Sequence, residues 1–339
     1  IVIKIEPKRG KILDHKGRKF ASTIKALSVY AVPRLIPIQA RPAVAEAVAE
    51  ILSLKVDYVE KRLNRDKAFV WLKRKVSDKE AEDIRRIGHP ALGLQNEYKR
   101  FYPHNQELAH VLGFCNIDNE GLEGLELAYN SYLRGEYGKR FSKRDAFGRE
   151  IPVLEEKMIP ARNGCNLVLN IDQFIQQAVE RELDAAFTQW HAKGACAVVI
   201  NPNTGEILAM SSRPTFNPNE GRMPADDAVR NRSITDIYEP GSIFKVVTLA
   251  STLNEKLITP EDTFFCENGV WRPSGKRVVH DVHPYGELTT AGVLIKSSNI
   301  GTCKIAKVLG EKLLYEYIRK FGFGSPTGID LRGEVSGIV

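Results

Sequence analysis

One break constrains this chain more than any other feature. Pro240-Gly241 interrupts the sequence, and an apolar helical run follows at once, from Ser242 to about Asn254. The run opens Ser242-Ile243-Phe244-Lys245, and the i, i+3 spacing sets a hydroxyl and an amine on one face of the first turn. Free N–H groups at a helix start, together with its dipole, favour negative charge developing at the serine. A lysine shielded from water loses proton affinity and can act as a base toward a hydroxyl. Val246, Val247, Ala250 and Leu253 would bury the helix and hold the pair rigid.

Taken alone, S-x-x-K is a common spacing. Ser22-Thr23-Ile24-Lys25 repeats it, but in an alternating segment that reads as a strand and would point the two side chains to opposite faces. A second element, Ser297-Ser298-Asn299, follows the apolar run Val293-Leu294-Ile295 and by itself is as common a spacing as the first. A hydroxyl and an amide two residues apart can face a cleft together, one relaying a proton and the other holding a substrate carbonyl.

The length of 339 residues suits two domains. A turn at Arg162-Asn163-Gly164 divides the chain into residues 1–164 and 165–339. In the first part, Ala43–Leu54 reads as an amphipathic helix with Val44, Ala47, Val48 and Ile51 on its apolar face. Ala68–Leu72 reads as a strand, and Ser77 with Glu80 forms a capping box for a helix through Ile87. Residues 100–150 read as loops. Beyond Gly164, Asn166–Ile171 reads as a strand. Asp172 caps a helix to about Trp190, with Ile175, Val179, Leu183, Ala186 and Trp190 inward. Ala195–Ile200 and Ile207–Ser211 form a hairpin around a turn-rich loop.

The net charge of +7 is spread along the chain, with no aromatic-interleaved basic stripe, which argues against nucleic acid. The five cysteines are scattered without zinc spacing, and Cys196 in its apolar run reads as a small buried hydrophobe. His280-Asp281-Val282-His283 reads as a polar loop in which Asp281 makes local hydrogen bonds, not as a metal cluster. Glu123 and Glu126 read as organisers of a loop or inter-domain contact. No metal and no cofactor is expected. No run of about 20 apolar residues is present to span a membrane.

S-x-x-K followed by S-x-N resembles the signature of penicillin-binding proteins and class A β-lactamases, which is completed by K-T-G. No Lys-Thr-Gly or Lys-Ser-Gly occurs in these 339 residues. The likeness extends upstream. Arg9 to Ala21 is similar to the R-G-x-I-x-D-R-x-G-x-x-L-A element of class B penicillin-binding proteins, with His15 in place of Arg and Phe20 in place of Leu. Gly121-Leu122-Glu123-Gly124-Leu125-Glu126 resembles their G-x-E-G-x-E element. Arg74 and Arg100-Phe101-Tyr102-Pro103 also match, as does the segment Thr204 to Met210 at the start of the transpeptidase domain.

The resemblance implies an α+β protein, with an N-terminal pedestal of the dimerisation type and then a β-lactamase-like transpeptidase domain cut short at its C-terminus. It implies a serine-type peptidoglycan D,D-transpeptidase acylated by penicillin and other β-lactams. Ser242 would be the nucleophile, Lys245 its base, Ser297 the proton relay and Asn299 the residue that positions the D-Ala-D-Ala stem peptide. The wording Ile237 to Ser242 and Ser297 to Gly301 looks more septal than elongation-type. A single-pass anchor in the inner membrane ahead of Ile1, a periplasmic site, divisome partners and a glycosyltransferase are expected with it. The fragment alone would be inactive, lacking K-T-G and half of the oxyanion hole. The rival readings are a β-lactamase, a β-lactam sensor and an inert divisome scaffold.

Overall fold

The structure is a computed structural model that describes residues 2–141, 143–144, 150–151, 158–220, 225–274 and 277–339. The chain divides into two compact units. One comprises residues 1–233 with 330–332, the other residues 234–329 with 333–339.

In the first unit the strand Lys19–Ala31 is the spine. Leu92–Phe101 pairs antiparallel along its length, from Ser22 opposite Phe101 to Ala31 opposite Leu92. Val70–Val76 lies antiparallel on its other side, and Ile12–Leu13 pairs with its start. Leu167–Val168 joins the edge, parallel to Ile12–Leu13. The repeat Ser22 to Lys25 therefore lies on a strand, as its alternation indicates.

Helices Arg41–Leu52, Val56–Leu63 and Asp78–Ile87 supply the apolar layer. Val48, Leu52, Val59, Leu63, Leu72 and Ile84 meet in its core. Each such side chain contributes about 1.5–3 kcal/mol when fully buried. The face of the first helix is rotated from the expected one, because Ala45, Val48, Ala49 and Leu52 are buried while Ala47 is exposed. Ala45 and Ala49, one turn apart, let the helix backbone approach closely. The capping box is realised: the Ser77 amide donates to Glu80 Oε2 at 2.8 Å and the Glu80 amide to Ser77 Oγ at 3.2 Å.

The two upstream motifs meet in one buried cluster. Arg9 Nε donates to Glu126 Oε2 and Arg100 Nε to Glu126 Oε1, each at 2.6 Å. All three side chains are at most 3 % exposed. Arg100 Nη1 also donates to the Gly10 carbonyl at 2.6 Å. Gly10 is obligatory, since a Cβ there would stand 1.8 Å from the Cys165 carbonyl oxygen. Glu126 thus organises a loop, as read. The stretch 100–150 is less irregular than expected, with short helices Ala109–Leu112, Gly124–Ala128 and Asn130–Leu133. Residues 142 and 145–149 of it lie outside the described ones.

Asp172 caps the helix Gln173–Gln189, accepting from the Phe174 and Ile175 amides. The expected apolar face is only partly covered, and Trp190 is exposed. Gln173 and Gln176 are the residues buried there instead, Gln176 completely. The Gln176 amide donates to the Met210 carbonyl at 3.0 Å and accepts from the Met210 amide at 2.9 Å, so polar docking replaces apolar packing. The hairpin Ala195–Ile200 with Ile207–Arg213 forms as expected. Cys196, expected to be buried, is exposed. Strand alternation puts it on the outward face, opposite to Ala195, Ala197 and Val199.

Glu107 gives this unit a pH dependence. Its Oε1 is buried without a hydrogen-bond partner, and Oε2 accepts from Gln177 at 3.2 Å, with His104 Nδ1 3.5 Å away. Burial pushes the carboxyl from 4.5 to about 7, and Glu180 adds to the shift while Gln177 and Arg18 oppose it. The unfolded chain ionises first as pH rises, so it binds fewer protons than the folded chain between about 4.5 and about 7. Stability contributed by this group should therefore fall across that window. Urea titrations at pH 5 and pH 8 should show a smaller difference for Glu107→Gln than for the native protein; an unchanged difference would remove Glu107 from the account.

The second unit is built on helices Lys245–Asn254, Asn299–Leu309 and Glu311–Lys320, with the small ladders Thr263–Phe265/Glu287–Thr289 and Val270–Ser274/Arg277–His280. Leu249, Ile258, Cys266, Val293, Ile300 and Ile305 form its core.

Candidate active site

The four expected site residues all lie in the second unit. Ser242 sits in a 3-10 turn, Gly241–Phe244, that runs straight into the helix Lys245–Asn254. The expected single α-helix from Ser242 is thus tightened over its first turn, and Gly241 enters it at φ 63°. Burial of the helix also differs from expectation. Lys245, Val247, Thr248, Leu249, Ser251 and Thr252 are inward, while Val246 is exposed.

Ser297 stands at the joint between helices Thr290–Ile295 and Asn299–Leu309, with a left-handed backbone at φ 55°. For a residue with a Cβ this region is disfavoured by roughly 1–2 kcal/mol. Ser298 caps the following helix, its Oγ accepting from the Gly301 amide at 2.9 Å.

Three polar atoms form a continuous chain. Lys245 Nζ donates to Ser297 Oγ at 2.9 Å, and Ser297 Oγ donates to Ser242 Oγ at 3.0 Å. Lys245 Nζ also donates to the Ser297 carbonyl at 2.5 Å. Lys245 therefore reaches Ser242 Oγ through Ser297; no hydrogen bond joins it to Ser242 directly among the described residues. Ser242 and Ser297 are exposed, whereas Lys245 is buried. Burial lowers the Lys245 pKa from its ordinary value, with the charges of Asp281 and Cys303 opposing the shift. The amine is thereby made readier to accept a proton.

Asn299 donates through Nδ2 to the His280 carbonyl at 2.7 Å. Its backbone N–H and that of Ile300 both point to Asp281 Oδ1, at 2.5 and 3.0 Å, and Ser298 Oγ donates to Asp281 Oδ2 at 2.6 Å. The expectation of local hydrogen bonds for Asp281 is corrected: its partners lie 17 to 19 residues away. An anion here satisfies orphan N–H groups and the positive end of the helix dipole. The sequence names Asp281 but not this role, because nothing local marks it; the clue was a helix start in need of an acceptor. No group of three or more potential metal ligands occurs among the described residues.

Comparison with known proteins parts the chain earlier than the compact units do, between residues 169 and 195. A model for the penicillin-binding protein dimerisation domain matches residues 4–169, and one for the penicillin-binding protein transpeptidase domain matches residues 195–339. Stage V sporulation protein D of Bacillus subtilis is 36 % identical over 98 % of this chain and 52 % of its own length. The peptidoglycan D,D-transpeptidase FtsI of Escherichia coli is 34 % identical over 99 % of this chain and 57 % of its own. The chain spans about half the length of these curated relatives. Among solved structures, penicillin-binding protein 2X of Streptococcus thermophilus superposes with a TM-score of 0.73 at 26 % identity, covering all of this chain and 55 % of that one. The penicillin-binding protein of Helicobacter pylori in complex with MreC gives 0.80 at 22 % identity, covering all of this chain and 68 % of that one, which speaks to fold alone. Two domain models in tandem, with relatives aligned along nearly the whole chain, make this protein a member of the class B penicillin-binding protein family, an α+β chain in which a dimerisation domain precedes a transpeptidase domain.

Proposed function

We propose that this chain carries the nucleophilic centre of a peptidoglycan D,D-transpeptidase. The observation that supports it most is the hydrogen-bonded chain from buried Lys245 through Ser297 to exposed Ser242. Ser242 Oγ attacks the carbonyl carbon of the D-Ala-D-Ala bond in a stem peptide. Its proton passes through Ser297 Oγ to the neutral Lys245 amine. Collapse of the tetrahedral adduct breaks the C–N bond, and Ser297 returns a proton to the departing D-Ala amine. An amine from a second stem peptide then attacks the ester, forms the cross-link and frees Ser242. Asn299 positions the donor peptide. A β-lactam imitates the donor but leaves no group to depart, so the ester persists.

The test is to label the full-length protein with a fluorescent penicillin and map the adduct by mass spectrometry. A single adduct on Ser242, lost in Ser242→Ala, is expected. An adduct on Ser22, or none on folded protein, would overturn the assignment. Rapid turnover of the β-lactam in place of a lasting adduct would favour a β-lactamase. Complementation of a null strain by Ser242→Ala would favour a scaffold.

Within the family we favour the septal role, on the wording of Ile237 to Ser242 and Ser297 to Gly301. A fluorescent fusion should gather at division sites; a purely lateral distribution would favour elongation. Chemistry on stem peptides places the site on the outer side of the cytoplasmic membrane. No helix of the described residues is long and apolar enough to cross that membrane.

A further inference from the structure

The first unit holds an open cleft of about 570 Å³ that the acyl-transfer site does not use. Lys73, Arg74, Lys75, Lys99 and Arg100 line it, and no Asp or Glu is among the described lining residues. Three consecutive residues of one strand cannot line the same cavity in regular alternation. A bulge makes it possible here. Leu27 faces Val76 and Val29 faces Lys73, so Arg74 and Lys75 together oppose Ser28. Lys75 takes a left-handed backbone at φ 53° to do so, a strained conformation for lysine.

The charges in the cleft are unequally matched. Lys73 pairs with Glu80, and Arg74 with Glu97 and Asp118. Arg100 shares the single carboxylate of Glu126 with Arg9, so that buried trio carries a net positive charge. Arg100 Nη2 is buried with no hydrogen-bond partner. Lys75 Nζ donates to the Asn119 amide oxygen at 2.9 Å with the charges of Glu6, Glu97 and Asp118 acting on it from farther off, and neither Lys75 nor Lys99 has an ion pair among the described residues. Leaving a buried donor such as Arg100 Nη2 unpaired is unfavourable unless a ligand completes it.

We propose that this cleft binds the oxyanion group, carboxylate or phosphate, of a small ligand, received by Lys75, Lys99 and Arg100. The asparagine amides of Asn116 and Asn217 and the ring of Phe114, which also line the cleft, suit a neutral remainder with both polar and apolar faces. The proposal stands independently of the acyl-transfer reading.

Isothermal titration calorimetry of the whole chain against N-acetylmuramic acid, inorganic phosphate and uncharged N-acetylglucosamine tests it. One-site binding of an anion is expected, weakening with added salt and absent for the neutral sugar. The double variant Lys75→Gln/Lys99→Gln should weaken it at least tenfold, while Lys139→Gln should not. Binding of the sugar acid alone identifies a carboxylate ligand, binding of phosphate alone a phosphate ligand, and binding of both a general oxyanion site. Amide shifts at Lys75, Lys99 and Asn119 in the native protein locate the site even if the double variant fails to fold. No binding of either anion, or binding with shifts elsewhere, overturns the proposal.

Discussion

Lys245→Arg will leave a folded protein whose acylation by penicillin falls by a factor of about 10²–10⁴, the usual contribution of a positioned acid–base group. Arginine keeps the positive charge but cannot release a proton near neutral pH, so it cannot receive one from the serine relay. The pH profile separates this from a packing effect. Native acylation should rise with pH as the Lys245 ammonium deprotonates, with its midpoint below the ordinary 10.5 because burial disfavours the charged form. The arginine variant should lose that rise altogether. Near-normal acylation of Lys245→Arg, measured with a labelled penicillin on protein of unchanged melting temperature, would remove Lys245 from the role of base.

Glu126→Ala should be the most destabilising single change in the first unit. It would leave Arg9 and Arg100 buried without their shared carboxylate. Removing one partner of a buried ion pair typically costs about 3–5 kcal/mol, against a total stability of about 5–15 kcal/mol for a domain. The Arg9 hydrogen bonds to the Asn119 carbonyl and Asn130 Oδ1 would remain but would no longer offset a buried charge. Urea unfolding followed by tryptophan fluorescence in a Trp271→Phe background, which leaves Trp71 and Trp190 of this unit as the reporters, shows the loss directly. A shift below about 1 kcal/mol would mean that water enters the site and solvates the arginines.

Much of this architecture was legible in the sequence because the signals were local. The Ser77–Glu80 capping box, the Asp172 cap and the Ala195–Ile200 hairpin each depend on residues a few positions apart, and each formed. The pairing of Ser242 with Ser297 was legible only through family resemblance, since 55 residues separate them. What escaped was set by tertiary geometry. Which face of Arg41–Leu52 turns inward depends on how closely two alanines let it approach the sheet. Gln176 displaced an apolar face because the Met210 backbone offered a matching donor and acceptor. Cys196 looked buried by composition and is exposed by strand parity. Asp281 escaped for the same reason as Gln176: its partners are backbone amides, and every residue has one.

The left-handed joint at Ser297 has an evolutionary consequence. Glycine would occupy that backbone without penalty, so substituting it would relax the fold while deleting the hydroxyl between Lys245 and Ser242. Selection for robustness alone would thus drift toward an inert protein at this position. Under the proposed relay, the demand for turnover is what keeps a side chain there, and copies of the gene released from that demand should lose Ser297 early.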